Sequence, residues 1–411
     1  MTKRIAIIGG GTGGLHLGLY LRDHDVDVTI HTDRRLEEYA KVRLLNTVAH
    51  HSVTIAREDQ LRVNHWPTEQ FGYYCHYHHF GGEQPLFFRG DFKSPSRAVD
   101  YRIYLPRLMQ DFLERGGRIE YGELKAEAIS RLANCSDLVV VCVGKGPLGR
   151  MFEHDAANSP FDQPQRLLCV GLYRGVAEEE TRSVTMSVSP GHGELIDIPT
   201  LTFGGMAHAF LMENVPGGDM EGLARLRYDE NPRLFLDTLL SKLEKHHPTV
   251  YRRVNLADFD LANGPNDLLQ GGVTPTVRKP QVALGDGKFA IALGDVHAVV
   301  DPLCGQGANM ASYGAFVLGE EIVRQSVFDE RFCEIVDQRR RDRILGATRW
   351  TNLSLTPPSP QLMQVVGTMS RDRAMCDEFT DNFNRPEDQW NRLASPRRME
   401  AWIAERQAAV A

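Results

Sequence analysis

The chain has 411 residues, of which 42% are hydrophobic and 25% charged, and a formal net charge of -7. That balance is ordinary for a soluble globular protein large enough for two or more structural units, and its acidic sign argues against nucleic acid as a main partner. Seven cysteines without paired spacing read as free thiols in a reducing cytoplasm, and no apolar run of about eighteen residues predicts a membrane span.

The first element is a strand, Ile5-Ala6-Ile7-Ile8, so early that no signal peptide is expected. It runs into Gly9-Gly10-Gly11-Thr12-Gly13-Gly14, and the pattern predicts a helix from Leu15 to His24 and a second strand from Val26 to Ile30. This order of strand, glycine-rich turn, helix and strand holds a dinucleotide. Gly9 permits the tight turn, Gly11 lets the backbone approach a pyrophosphate, and Gly14 lets the helix pack on its strand. The amides that open the helix, around Thr12 and Gly13, face the phosphates.

Further along, Tyr73-Tyr74-Cys75-His76-Tyr77-His78-His79-Phe80 is rich in metal-ligating types. Strand alternation sends His76 and His78 to one face and His79 to the other, so no metal site is expected. Gly81-Gly82 predicts a hairpin with Leu86 to Phe88 returning. A helix is expected from Arg102 to about Arg115, stopped by Gly116-Gly117, and a buried strand from Asp137 to Cys142. Residues Val184 to Glu213 read as an antiparallel meander of four strands: Val184–Ser189, Glu194–Ile198, Leu201–Phe203 and His208–Glu213. A helix follows from Pro232 to Lys245, and a strand from Phe289 to Leu293. Beyond Asp329 the chain reads as mostly helical, broken at Pro357-Pro358-Ser359-Pro360, and the basic run Arg339-Arg340-Arg341-Asp342-Arg343 reads as a solvated helix face.

A second nucleotide motif follows the Phe289 strand, from Gly294-Asp295 to Pro302-Leu303-Cys304-Gly305-Gln306-Gly307-Ala308-Asn309. Asp295 can accept a hydrogen bond from a ribose or ribitol hydroxyl. Pro302 fixes the chain direction, and Gly305 and Gly307 expose amides at the start of a helix. A helix N-terminus stabilises negative charge, which a reduced flavin carries at its pyrimidine edge.

The pairing of these two motifs resembles the para-hydroxybenzoate hydroxylase-like flavoprotein monooxygenases, which bind FAD. The resemblance implies an α/β fold, with a Rossmann-like FAD-binding domain, an inserted β-sheet substrate domain and a helical C-terminal region. On that reading residues 1–72, 98–180 and 273–345 form the discontinuous FAD-binding domain, 73–97 and 181–272 the substrate domain, and 346–411 the helical region. Asp33 stands about where an acidic ribose ligand is expected, although Thr32 lies nearer the strand end. Arg102 matches a polar residue that contacts the cofactor in that superfamily. Where single-component members carry an Asp-Gly motif, this sequence has Gly144-Lys145-Gly146, and it has no second GxGxxG. The chain is therefore expected not to reduce its own flavin.

Several segments resemble the epoxidase component of two-component styrene monooxygenases: Arg43 to His50, Ser94 to Arg102, Ser189 to Glu194, Asp295 to Asn309 and Asp377 to Asn384. Six positions separate these enzymes from the related indole monooxygenases. Here they carry Asn46, Val48, His50, Tyr73, His76 and Ser96, the styrene set. The resemblance implies a monooxygenase that turns styrene-type alkenes into (S)-styrene oxide through a flavin C4a-hydroperoxide. It implies O2 as co-substrate and reduced FAD from a separate NADH-dependent flavin reductase, and it leaves room for a homodimer. Asn46, Tyr73, His76 and Ser96 are the expected catalytic positions. Leu45, Val48, His50, Phe203, Leu211 and Leu303 are the expected substrate contacts, and Arg43 joins the glycine motifs on the cofactor. An indole monooxygenase is the alternative. A flavin halogenase is disfavoured because no WxWxIP stretch is present, and a nucleotide-binding escort of the dissociation-inhibitor type is the non-enzymatic reading.

Overall fold

A computed structural model describes residues 3–143 and 146–410. Arg4–Ile8 pairs in parallel with Asp27–Thr32 on one side and Leu138–Val141 on the other. These three strands centre a six-stranded sheet, in the order Gln281–Gly285, Lys288–Ala292, Leu138–Val141, Arg4–Ile8, Asp27–Thr32, Arg118–Tyr121. All pairings are parallel except the terminal 281–292 hairpin. The apolar run of the first strand needs no alternation because both faces are covered. Ile5 and Ile7 join a core with the helices Thr12–Arg22, Tyr101–Glu114 and Gly307–Arg324, while Ala6 and Ile8 face Ile129 and Ala133 of the opposite layer.

The first helix begins at Thr12, three residues before the expected Leu15, so the glycines are its first turn. Gly14 leaves no choice there: a Cβ would sit 2.1 Å from the Gly9 carbonyl oxygen. Gly9 itself has φ +118, a conformation costly for any residue with a side chain.

A nine-stranded sheet forms the second layer. Its order is Asp260–Leu261, Leu167–Arg174, Gly205–Asn214, Gly193–Thr202, Ser183–Ser189, Gly72–Phe80, Leu86–Val99, Ala49–His50, with Leu268–Gly272 also pairing on Leu167–Arg174. Leu167–Arg174 lies in the stretch expected to belong to the nucleotide unit, yet it pairs only in this sheet. The two strands expected at 194–198 and 201–203 are one, Gly193–Thr202, which runs through Pro199. Pairing with Ser183–Ser189 stops at Asp197 and pairing with Leu86–Val99 starts at Thr200, so Pro199 falls in the gap, where its missing N–H breaks no ladder.

The expected hairpin at Gly81-Gly82 is present, but its return strand continues to Val99. Tyr73 pairs with Ser96 and Cys75 with Asp91, so residues 92–95 bulge opposite Tyr74 alone. Pro95 suits a bulge for the same reason Pro199 suits its gap.

The C-terminal helices are Glu330–Ser354, Pro360–Met369, Arg373–Asp381, Pro386–Leu393 and Pro396–Val410. Asp329, Ser359 and Asp372 cap the first three with side-chain oxygens. Arg373–Asp381 packs on Gly90, where a Cβ would stand 2.1 Å from Thr380 Oγ1. The basic run is a solvated face only in part: Arg339, Arg341 and Asp342 are exposed, and Arg340 and Arg343 are not. Arg340 is buried and donates to the Ala292 carbonyl at 2.8 Å, and Arg343 is buried against the Asn384 carbonyl and Glu387. The long helix lies between the nucleotide sheet and the C-terminal helices, so this face had to turn inward. Among the described residues no helix is long and apolar enough to cross a membrane.

Candidate active site

Two helix N-termini open side by side. Gly13 lies against Ala311, His16 bonds Ser312 at 3.0 Å, and the Tyr20 ring meets Phe316. The contacts climb both helices together, so Thr12–Arg22 and Gly307–Arg324 run parallel. Neither start has a side-chain cap or an acidic residue in its first turn. Their first amides are left for a ligand, and their dipoles favour negative charge. A Cβ at Gly11 or at Gly307 would meet nothing within 4 Å. Open space in front of two uncapped helix starts fits a dinucleotide whose pyrophosphate meets one start and whose anionic ring edge meets the other. Asp33 is exposed just past the second strand, and Asp295 is exposed in a short turn at 294–296. Gly305 takes the left-handed conformation, φ +60, that lets the chain turn from Pro302–Cys304 into the second helix. Of the Gly144-Lys145-Gly146 departure, Gly144 and Lys145 lie outside the described residues.

Between the two layers runs a buried polar network. Thr12 Oγ1 lies 2.8 Å from the Tyr101 hydroxyl, which lies 2.8 Å from His50 Nε2. His50 Nδ1 meets Glu58 Oε1 at 2.6 Å, the Tyr104 hydroxyl donates to the same oxygen at 2.8 Å, and Arg97 pairs with the other. Burial pushes the Glu58 carboxyl up, but His50 and Arg97 outweigh it and hold it at about 2. Tyr104 continues to His16 at 2.8 Å and so to Ser312 on the second helix. Burial is the main reason that the Tyr101 phenol is held above its ordinary range. Glu58 and Asp295 act in the same direction.

The substrate-sheet side is apolar with a few convergent polar groups, the composition of a small-molecule site. Tyr73, Leu211 and Leu303 share one buried cluster with Leu44, Val184 and Ile198. The bulge folds Phe92 onto this cluster, edge-on to His76 at 4.7 Å and 5.9 Å from Tyr73. Phe383, from the C-terminal helices, meets the other side of His76 at 4.6 Å. His76 and His78 share a face, with ring centres 5.9 Å apart, and His79 points the other way to Ser187. Burial pushes His76 well below its ordinary value, so it is neutral. Ser96 is fully buried, 3.3 Å from His51 Nδ1. Asn46 Oδ1, the Tyr73 hydroxyl and His76 Nδ1 are buried without a hydrogen-bond partner among the described residues. Two of these orphaned atoms, on Tyr73 and His76, belong to rings in contact, and such atoms point to a bound polar group.

The remaining expected residues land elsewhere. Leu45 and Val48 pack against the nucleotide core. Phe203 sits at a hairpin tip, 47% exposed, beneath the Arg102 guanidinium, so it does not join the apolar cluster. All three Arg102 nitrogens are engaged by Asp100, Asp267 and the carbonyls of Val42 and Asn266. That clamp fixes the 42–48 loop. Arg43 is exposed and pairs with Asp229. Asn309 accepts from the His51 amide and from Thr54 and donates to the Ala49 and Gly305 carbonyls, so it staples the second helix to the loop. Pro302 opens the short turn that Asp301 caps through the Leu303 amide, and Ala308 packs on the nucleotide core. Sequence reasoning passed over Glu58, Tyr101, Phe92 and His51. Only His51 carried a signal, as the histidine next to His50 in the sequence.

These features are those of an FAD-dependent monooxygenase fold, and comparison with known proteins agrees. The chain aligns over 98% of its length with "Styrene monooxygenase StyA" of Pseudomonas fluorescens at 56% identity, covering 98% of that protein. It aligns with "Styrene monooxygenase StyA" of Pseudomonas sp at 55% identity, again over 98% of each. Residues 144–253 match the family described as "Styrene monooxygenase A putative substrate binding domain". Among solved structures it is similar to the flavin-dependent brominase Bmp2, with a TM-score of 0.67 at 12% identity over the whole of both chains. It is also similar to PqsL, "a probable FAD-dependent monooxygenase from Pseudomonas aeruginosa", with a TM-score of 0.62 at 14% identity over 92% of this chain and 99% of that one. The chain belongs to the StyA family of styrene monooxygenases and is a flavin-dependent monooxygenase.

Proposed function

We propose that the chain is the oxygenase of a two-component system, converting styrene and related aryl alkenes to the (S)-epoxide with O2 and with reduced FAD delivered by a separate NADH-dependent flavin reductase. The observation that carries this reading is the 56% identity to StyA over nearly the whole of both chains. When bound in its reduced form, FAD supplies the oxygen activation.

The protein's part is binding, orientation and water exclusion. The helix starts at Thr12 and Gly307 and the open space at Gly11 would receive the phosphates and the anionic flavin edge. The hydroxyls and carboxylate of the Thr12–Tyr101–His50–Glu58 network hold that wall still. His50 therefore serves as a positioning residue, since both of its ring nitrogens are already bonded. Tyr73, Leu211, Leu303 and Phe92 offer an aryl alkene an apolar seat and keep bulk water from the reacting oxygen. Asn46 and His76 present polar atoms to that seat.

The test mixes chemically reduced FAD, O2, styrene and the purified chain and looks for styrene oxide. The expected result is epoxide without any reductase, and no NADH oxidation when only NADH and oxidised FAD are supplied. Indole turnover at the expense of styrene would favour the indole alternative. Reductase-free NADH consumption would remove the two-component reading, and no oxygenated product would remove the enzyme reading.

A further inference from the structure

His51 belongs neither to the glycine motifs nor to the six positions that distinguish styrene from indole enzymes, yet the fold holds it from several sides. Its amide donates to Asn309 Oδ1 at 3.1 Å, and its carbonyl accepts from Thr54 and Ile55 as the cap of the Ser52–Gln60 helix. Its ring lies between Phe92, 6.2 Å away, and Phe383, edge-on at 5.7 Å. Nδ1 is 3.3 Å from Ser96 Oγ. Nε2 is buried and has no partner among the described residues. Among the described residues, and leaving out the glycine's own chain neighbours, it is also the only atom within 4 Å of a Cβ built on Gly305, at 3.9 Å. The imidazole edge therefore stands against the left-handed glycine that leads into the second helix.

We propose that His51 Nε2–H is a hydrogen-bond donor that the protein presents to the reduced flavin at Gly305, with Ser96 as the positioning residue that sets its tautomer. This rests on the FAD-dependent reading above. Ser96 is fully buried, and its hydroxyl lies 3.3 Å from His51 Nδ1. A serine hydroxyl can donate its proton to that nitrogen. Nδ1 then accepts, and the imidazole proton must sit on Nε2. Burial pushes the ring down to about 3, with His50 and Arg343 acting in the same direction, so the donor is neutral at every working pH. A neutral donor fixed beside uncapped helix amides favours the anionic, reduced form of the cofactor over the oxidised form. Ser96 then acts through His51.

The experiment uses the full chain. Anaerobic titrations with reduced FAD, and aerobic titrations with oxidised FAD, compare wild type, His51→Phe, His51→Gln and Ser96→Ala. Nitrogen-15 NMR of the cofactor-free protein reads the His51 tautomer. His51→Phe keeps the packing between two aromatic rings and removes the donor. It is expected to weaken reduced FAD about tenfold, the effect of one hydrogen bond to a charged acceptor, and oxidised FAD less. His51→Gln restores an N–H and should recover most of that loss. The wild-type spectrum should show the Nε2–H tautomer, and Ser96→Ala should lose that preference. Wild-type affinity for reduced FAD in His51→Phe, or an Nδ1–H tautomer in the wild type, overturns the proposal. If His51→Phe does not fold, the wild-type tautomer and the His51→Gln titration still decide. A wild type that binds reduced FAD but makes no epoxide would sink the styrene reading and leave these results standing.

Discussion

Asn46 and Tyr73 each bring a polar atom to an apolar wall and leave it without a protein partner. A buried orphan is costly, about 1–3 kcal/mol for each group, so substitution by an apolar residue should not harm the fold and should harm the chemistry. Asn46→Val and Tyr73→Phe are expected to keep the melting temperature within a few degrees, an effect of about 1 kcal/mol or less. Epoxide formed per reduced flavin, or the enantiomer ratio, should fall, because a small misplacement of reacting atoms can cost about a hundredfold in rate. Wild-type yield, rate and enantiomer ratio in both variants would show that these residues do not face the chemistry. His50 shows the limit of reading at this scale. Its position is legible as one of a set, but its bonds to Glu58 and Tyr101 come from residues 8 and 51 positions away, which no local pattern announces.

The strand-turn-helix at the start of the chain was legible because its chemistry is local. Each glycine has its own reason, and the reasons separate by experiment. Gly11 faces open space, so Gly11→Val is expected to leave stability within about 0.5 kcal/mol and to abolish FAD binding by filling the phosphate site. Gly14 is pressed against the Gly9 carbonyl, so Gly14→Ala should cost about 3 kcal/mol of stability whether or not FAD is present. Thermal melts with and without FAD, read beside a binding titration, distinguish the two. If Gly11→Val binds FAD normally, the phosphates lie elsewhere. The opposite case is the 339–343 basic run. Its helix was expected, but the burial of Arg340 and Arg343 depends on two layers that meet only in the folded chain.

The large sheet, the second glycine loop and the C-terminal helices meet at Glu213 and Asp301. Both carboxyls are fully buried and lie beside each other, and among the described residues neither side chain finds a donor except the Leu303 amide on Asp301. Two acceptors can bond only with a proton between them. Burial pushes Glu213 well above its ordinary value, with Asp301 next, and pushes Asp301 up to about 6. Arg166, paired with Glu194 at 2.7 Å and donating to the Leu355 carbonyl, ties the third body to the same point. Folded pKa values above the unfolded ones mean that the native state holds more protons. The pair's contribution to stability is therefore greatest in acid, falls as pH rises from about 4 through the folded values, and levels off beyond them. Glu213→Gln keeps the hydrogen bond without an ionisable proton. It should be more stable than wild type at pH 8 by about 1 kcal/mol or more, and equal to it near pH 5. Melting temperatures from pH 5 to 8 check this, and parallel curves for the two proteins would refute it.

What the sequence determined by itself was what short segments can encode: the two glycine motifs at the helix starts, the run of apolar residues that makes a strand buried on both faces, and the order of strands and helices that places a β-rich unit between them. The tertiary structure alone decided which polar groups meet. It turned Phe203 outward at a hairpin tip, locked Arg102 between Asp100 and Asp267, and sent Asn309 to staple a loop. It also aimed His51 at Gly305 across 254 positions of sequence. A buried polar atom is placed by whichever partner the fold brings within about 3 Å, and that partner is usually remote in the chain.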